Sequence, residues 1–409
     1  MISLREPVAI LFPLLATLCL ASPASAQHLV WKHLSSANGD IPAPGPSPQQ
    51  TASLVVDIDK DGVNDFFIAA RVTGPSLLWY RRTPNGWRKY VVDDEYLRIE
   101  AGGAFHDIDG DGDADVVFGA DAGGNHIWWW ENPYPNYDPA VNWKRRVIKD
   151  SGGNKHHDQI FGDFDGDGEA EFVSWNQGSR ALLMFEIPAD AGTAERWPHT
   201  TIYSWGEGSE HEGIAAADVN LDGKLDLVGG GRWFEPLGGG QFQPHLIDDA
   251  YRFSRVAAGQ LKPGGRPEIV FQPGDEDGRL AWFEWSGGKW VSHDLLAYDV
   301  IHGHSVGLGD VDGDGHLDIF SAEMGRWGER ATQNNTRAQM RIFFGDGAGA
   351  FREEVVASGY GVHEGRLADL DGDKDLDILA KPYNWNTPRI DVWLNEGAAR
   401  TPSPADPQK

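Results

Sequence analysis

The chain has 409 residues, with 35 Lys and Arg against 62 Asp and Glu and a formal net charge of −27. So acidic a balance argues against nucleic acid or an anionic membrane as partner, because both would be repelled. Its 17 Trp, 18 Phe and 10 Tyr are enough to build a large core.

Residues 1–26 combine Arg5, the apolar run VAILFPLLATLCLA and small residues at Ala24 and Ala26. That pattern predicts a cleavable secretory signal, too short and wrongly flanked for a transmembrane span. The protein is therefore expected outside the cytoplasm, secreted or periplasmic. The only cysteine, Cys19, falls inside the signal, and Leu18 before it does not fit a lipoprotein signal. The mature chain is then expected to hold no disulfide, and bound calcium is the candidate staple. Residues 27–400 read as one folded unit and 401–409 as a frayed tail.

Six acidic nonapeptides punctuate the folded unit. Their oxygen-bearing positions 1, 3, 5 and 9 are Asp57, Asp59, Asp61 and Asp65; Asp107, Asp109, Asp111 and Asp115; and Asp163, Asp165, Asp167 and Glu171. The second three are Asp218, Asn220, Asp222 and Asp226; Asp310, Asp312, Asp314 and Asp318; and Asp369, Asp371, Asp373 and Asp377. A hard cation takes six to eight oxygens at about 2.3–2.6 Å, and alternate side chains can wrap one where Gly permits a sharp turn. Up to six structural calcium ions are therefore expected. An EF-hand is excluded: position 12 is never acidic, being Ile68, Phe118, Ser174, Gly229, Ser321 and Ala380. The flanks, such as ADVVFGA and LDILAKP, read as short strands rather than helices.

Loop starts recur every 50 to 59 residues except for one gap of 92, between 218 and 310. A seventh unit, RVAAGQLKPGGRPEIV from Arg255 to Val270, fills the gap with the early calcium ligands lost. Each unit adds a third strand ending in aromatics, such as HIWWWEN, and a fourth near Trp or Phe, such as NWKRRVI. Six fourth strands follow for seven units. LVWKHLSS, from Leu29 to Ser36, has the missing pattern and would complete the last unit, closing the ring without an exposed edge. The expectation is an all-β fold, a seven-bladed β-propeller of four-stranded blades.

These loops, together with the FFGDGAGAF turn at Phe343 to Phe351, make the chain resemble the FG-GAP or VCBS repeat family, the calcium-loop propellers typified by the integrin α head. The resemblance covers nearly the whole mature chain. It implies that the first strand of each blade lines the central channel, with the calcium loop where that strand turns into the second. It says little about activity, since propellers host enzymes, adhesins and scaffolds alike.

Function is therefore sought at the other mouth, about 20 Å from the loops at about 3.3 Å per strand residue. The strand entries there carry His157, His211, His304 and His363, three of them followed by Asp158, Glu212 and Glu364. Together with Arg252 and Glu323, these residues are expected to converge on the axis as a catalytic group, where they could hold one further divalent metal and move a proton. The alternative is a polar channel lining that only binds water. Loops on the same face add Trp175, Arg326, Trp327, Lys381, Tyr383 and Trp385, flat aromatics and polar groups suited to sugar rings; Trp233 reads as packing between blades. Two functions remain open. One is an enzyme on carbohydrate, a lyase or dehydratase working by β-elimination, as on other seven-bladed propellers. The other is a non-catalytic module that binds a glycan or a protein.

Overall fold

In a computed structural model the described residues are 28–208, 210–325, 335, 337–383 and 386–398. The expected signal and tail lie outside them, as do Arg326, Trp327 and Trp385. No helix among the described residues is long and apolar enough to cross a membrane.

Tryptophans 128 to 130 show how the sequence builds the ring. Successive strand side chains point to opposite faces, so Trp128 and Trp130 join a cluster with blade one while Trp129 joins a cluster with blade three. The same division operates at every blade, and the described residues form seven buried clusters, each shared by two neighbouring sheets. A ring of seven faces follows, with no central apolar core.

Seven four-stranded antiparallel sheets make up the ring. Their first strands are Gln50–Val56, Ala104–His106, His156–Gly162, Ala215–Ala217, Ser254–Gly259, Ser305–Gly309 and Arg366–Ala368, and neighbouring first strands touch around the axis. They are short and often only half-buried, as suits a channel wall, whereas second strands such as Asp65–Ala70 are buried throughout. Blade seven is closed by Leu29–Ser35, which pairs antiparallel with Asp391–Ala398, and His33 stacks on Trp393 at 4.4 Å. This strand covers the edge that Asp391–Ala398 would otherwise expose.

Each acidic loop connects a first strand to a second and needs two left-handed residues. Position 4 has positive φ in Lys60, Gly110, Gly166, Leu221, Gly313 and Gly372, and position 6 in Gly62, Gly112, Gly168, Gly223, Gly315 and Lys374. The position-9 carboxylate accepts the backbone N–H of position 2, at 2.7 to 3.1 Å in blades two, three, four, six and seven. Glu268 does the same for Leu261 N–H at 2.8 Å, so the fifth loop keeps position 9 and starts at Gln260. Its position 3 is Lys262, whose ammonium pairs with Glu284 and faces Glu268. A fixed amino group stands where five of the other loops offer a carboxylate and the fourth offers Asn220.

Candidate functional site

The axial site is best built by counting back from each loop. Six residues before the loop start stand His157, Glu212, His304 and His363, and five before it stand Asp158, Arg255 and Glu364. Asp158 and Glu364 are left-handed, with φ of 51° and 56°; the equivalent positions in blades two and four are Gly102 and Gly213, also at positive φ. A non-glycine residue costs about 1–2 kcal/mol there, and backbone strain of this kind clusters at functional sites.

His157 Nδ1 is 2.8 Å from Asp158 Oδ2, and its Nε2 is 3.2 Å from Glu212 Oε1. His304 has its Nδ1 3.4 Å from Glu364 Oε1 and its Nε2 3.8 Å from Glu212 Oε2 and 3.7 Å from Asp275 Oδ1. Both imidazoles therefore aim Nε2 at Glu212 and keep a carboxylate at Nδ1. Arg255 secures both of those carboxylates, with Nη2 at 2.6 Å from Asp158 Oδ1 and 2.9 Å from Glu364 Oε1. His363 stacks on His304 at 4.1 Å and on Tyr383 at 4.7 Å, and Arg71 Nη1 donates to the Tyr383 hydroxyl at 2.9 Å. Arg71 also pairs with Glu100 and Asp121.

Electrostatics follow from burial and these partners. Burial alone would lower the His157 pKa, but Glu212 and Asp158 outweigh it and push it up to about 10. Burial opposes the charge on Asp158, yet Arg255 and His157 hold its carboxyl far below the usual range. Glu364 is likewise held down against burial, by Arg255, Arg366 and His304. His363 goes the other way: burial, His304 and Lys381 lower its pKa well below the ordinary imidazole value, so it is neutral.

Several expected site residues stand elsewhere. His211 is seven residues before its loop, and its ring stacks on Trp205 at 4.3 Å, with Trp175 and Tyr203 beside it, rather than joining the axial imidazoles. Arg252 pairs with Asp249 at an exposed turn; Arg255 is the arginine that reaches the axis. Glu323 accepts from Ile301 N–H at 2.8 Å and Gln339 N–H at 2.9 Å, tying two segments of blade six together. Trp175 is fully buried and donates to Gly213 O at 2.7 Å, so it packs rather than presenting a face to a sugar. Lys381 is also fully buried, donating to Gln50 O, Thr51 O and His363 O at 2.7, 3.1 and 2.7 Å. Of the described ring-binding candidates, Tyr383 stacks on His363 and Lys381 Nζ lies 3.3 Å from His363 Nδ1, so both reach the axial group. Arg71, Glu100, Asp121, Arg255 and Asp275 were missed; only Glu100 and Arg255 lie within strand-entry runs, where counting back from Glu268 would have found Arg255.

The acidic loops and the axis both contain groups able to hold a cation. His157, Glu212 and His304 place one ligand atom each within 4.8 Å of one another, as do Asp163, Asp165, Asp167 and Glu171, and the leading aspartates of the first and second loops. Glu171 Oε1, Asp226 Oδ1 and Asp371 Oδ1 are buried without a hydrogen-bond partner, which an ion would correct.

The seven four-stranded sheets, six of them with an acidic loop between first and second strand, define a seven-bladed β-propeller. The family model described as FG-GAP-like repeat matches residues 107–174 and 163–229. No curated protein matches the chain. Among solved structures, BBS1N in complex with ARL6DN, soaked with lead, is similar at 13% identity and a TM-score of 0.52, covering 89% of this chain and 96% of that one. The V. cholerae biofilm matrix protein Bap1 is similar at 12% identity and 0.47, covering 85% and 88%. The exotype rhamnogalacturonan lyase YesX is similar at 14% and 0.42, covering 86% and 74%. Identities this low speak to the fold alone.

Proposed function

We propose that the axial cluster is a divalent-metal centre acting on an anionic sugar by β-elimination, in an exported protein whose acidic loops hold calcium. The observation that carries this reading is the shared posture of His157 and His304, each with Nε2 toward Glu212 and a carboxylate at Nδ1. Metal-ligating imidazoles generally have such a carboxylate behind them, which fixes the tautomer. Ligands of a tetrahedral ion with bonds of about 2.1 Å lie about 3.4 Å apart; the donor separations here are 3.2 and 3.8 Å, and Asp275 adds an oxygen at 3.7 Å. Two imidazoles with two carboxylates suit zinc, manganese or iron better than calcium.

When bound, the cation would supply Lewis-acid stabilisation of the enolate formed as a sugar loses the proton α to its carboxylate. His363, stacked beside His304 and outside the proposed ligand set, is the imidazole that would take the proton. Tyr383 and Arg71 lie beyond it as a hydroxyl and a cation that can position a sugar acid. The test has two arms. Elemental analysis of chelator-free protein is expected to find about one transition metal per chain beyond calcium, lost in His157→Ala/His304→Ala. Incubation with polyuronates is expected to raise ultraviolet absorbance from an unsaturated product, and that signal is lost in the same variant. A chain without transition metal, or a polyuronate that binds without turnover, overturns the enzymatic reading in favour of a binding module.

A further inference from the structure

A second feature lies on the loop face, between the outer strands of blades four and five. A cleft of about 670 Å³ is lined there by Trp233, Glu235, Arg266, Trp285 and Trp290, with Asp222 at its edge. We infer that this cleft binds a uronate-bearing glycan, independently of the axial site.

Its chemistry divides into a flat apolar platform, a cation and a polar wall. Trp285 is 38% exposed, unusual for so large an aromatic, and Trp290 meets it edge-on at 5.5 Å. A pyranose presents one face of C–H bonds that covers such an indole well, which is why aromatic platforms suit sugars. Arg266 lies over the Trp285 ring at 4.4 Å and toward the Trp233 ring at 5.9 Å. Among the described residues it has no carboxylate partner, in a protein with a net charge of −27. Among the described residues six of the eight other arginines that lie over an aromatic ring also pair with an acid, for example Arg145 with Asp93 and Arg146 with Glu131, whereas Arg82 and Arg88 do not. A guanidinium over one indole and near a second still has N–H groups for a carboxylate, which it can bind in bidentate fashion.

The opposite wall offers the complementary function. Glu235 is held by His245 Nε2 at 2.8 Å and Asn220 Nδ2 at 3.2 Å, so it is fixed as an acceptor for hydroxyls. Trp290 Nε1 is buried without an acceptor, a donor that a sugar oxygen would satisfy. Arg266 itself sits at position 7 of the fifth loop, the one whose early acidic ligands are replaced. The blade that lost its cation site has a basic residue facing the cleft instead.

The experiment uses the full chain, with polygalacturonate as probe and dextran as the uncharged control. Tryptophan fluorescence and affinity electrophoresis are expected to report polygalacturonate binding with little response to dextran. Arg266→Ala and Trp285→Ala should each weaken binding by about tenfold or more while melting as the parent does, and Arg266→Lys should restore only part of it. The axial variant His157→Ala/His304→Ala should keep the part of polygalacturonate binding that depends on Arg266 and Trp285, so failure of the enzymatic reading leaves this inference standing. No binding by the parent, equal binding of dextran, or binding lost in the axial variant and kept in Arg266→Ala would each overturn it.

Discussion

Arg255 Nη2 lies 2.9 Å from Glu364 Oε1 and thereby joins blade five to blade seven across the propeller axis. The arginine is buried and also pairs with Asp158 of blade three. Removing one member of a buried charge network leaves its partners uncompensated. Arg255→Ala should therefore cost about 3–5 kcal/mol in chemical denaturation. Arg252→Ala, which breaks only an exposed pair with Asp249, should stay within about 0.5 kcal/mol. Equal losses would mean that the axial network is not what holds the blades together.

Glu212 and His211 adjoin in sequence but belong to different environments. Glu212→Gln should abolish transition-metal retention, because it removes the carboxylate that both axial imidazoles face. His211→Ala should keep the metal and lose about 1–3 kcal/mol of stability through its stack with Trp205. Metal analysis alongside thermal melts separates the two; retention in Glu212→Gln would remove it from the ligand set.

Without calcium, stability should fall as pH rises from about 4 to 8. Burial pushes the position-9 carboxyls up to about 8 in Asp65 and Asp115 and to about 7 in Glu171, Asp226, Asp318 and Asp377. The folded state then keeps protons that the unfolded chain, with carboxyls near 4, releases, so the contribution is full below the unfolded value and is lost as pH passes the folded one. Saturating calcium should reverse the slope, because the ion must displace those protons, and should raise the melting temperature. A chelator-treated protein whose melting temperature is flat between pH 5 and 8 would show that these acids are neutralised by other means.

Lys374 adopts φ of 81° at the position where five of the six acidic loops have glycine. Lys374→Gly relieves a left-handed side chain and should stabilise the protein by about 1 kcal/mol at fixed calcium, read from denaturation midpoints. Gly315→Lys, at the same position of the sixth loop, should cost a similar amount.

Deleting residues 27–36 should abolish soluble monomer, because the fourth strand of blade seven and its stack of His33 on Trp393 are lost and the Asp391–Ala398 edge is exposed. A truncated chain that melts as the full one does would show that ring closure lies elsewhere.

Repetition made the architecture readable from sequence alone. Loop spacing, the period-2 pattern of Trp128 to Trp130 and the stray strand at Leu29 are local signals, each fixed by backbone geometry that recurs blade after blade. The acidic loops were equally plain, since the oxygens that could hold a cation in one nonapeptide are close in sequence. The axis was harder. His157, His304 and His363 could be found by their common place before the loops, but His211 stands one residue earlier and packs on Trp205, while Glu212 takes the place that faces His157. Arg255 was hidden because its blade had lost the acidic residues from which the count begins, and Arg71 and Asp275 because they reach the axis from turns that follow second strands. Which charges pair is a matter of residues from different blades, most of them 29 to 109 positions apart, meeting at one point, and only closure of the ring brings them there.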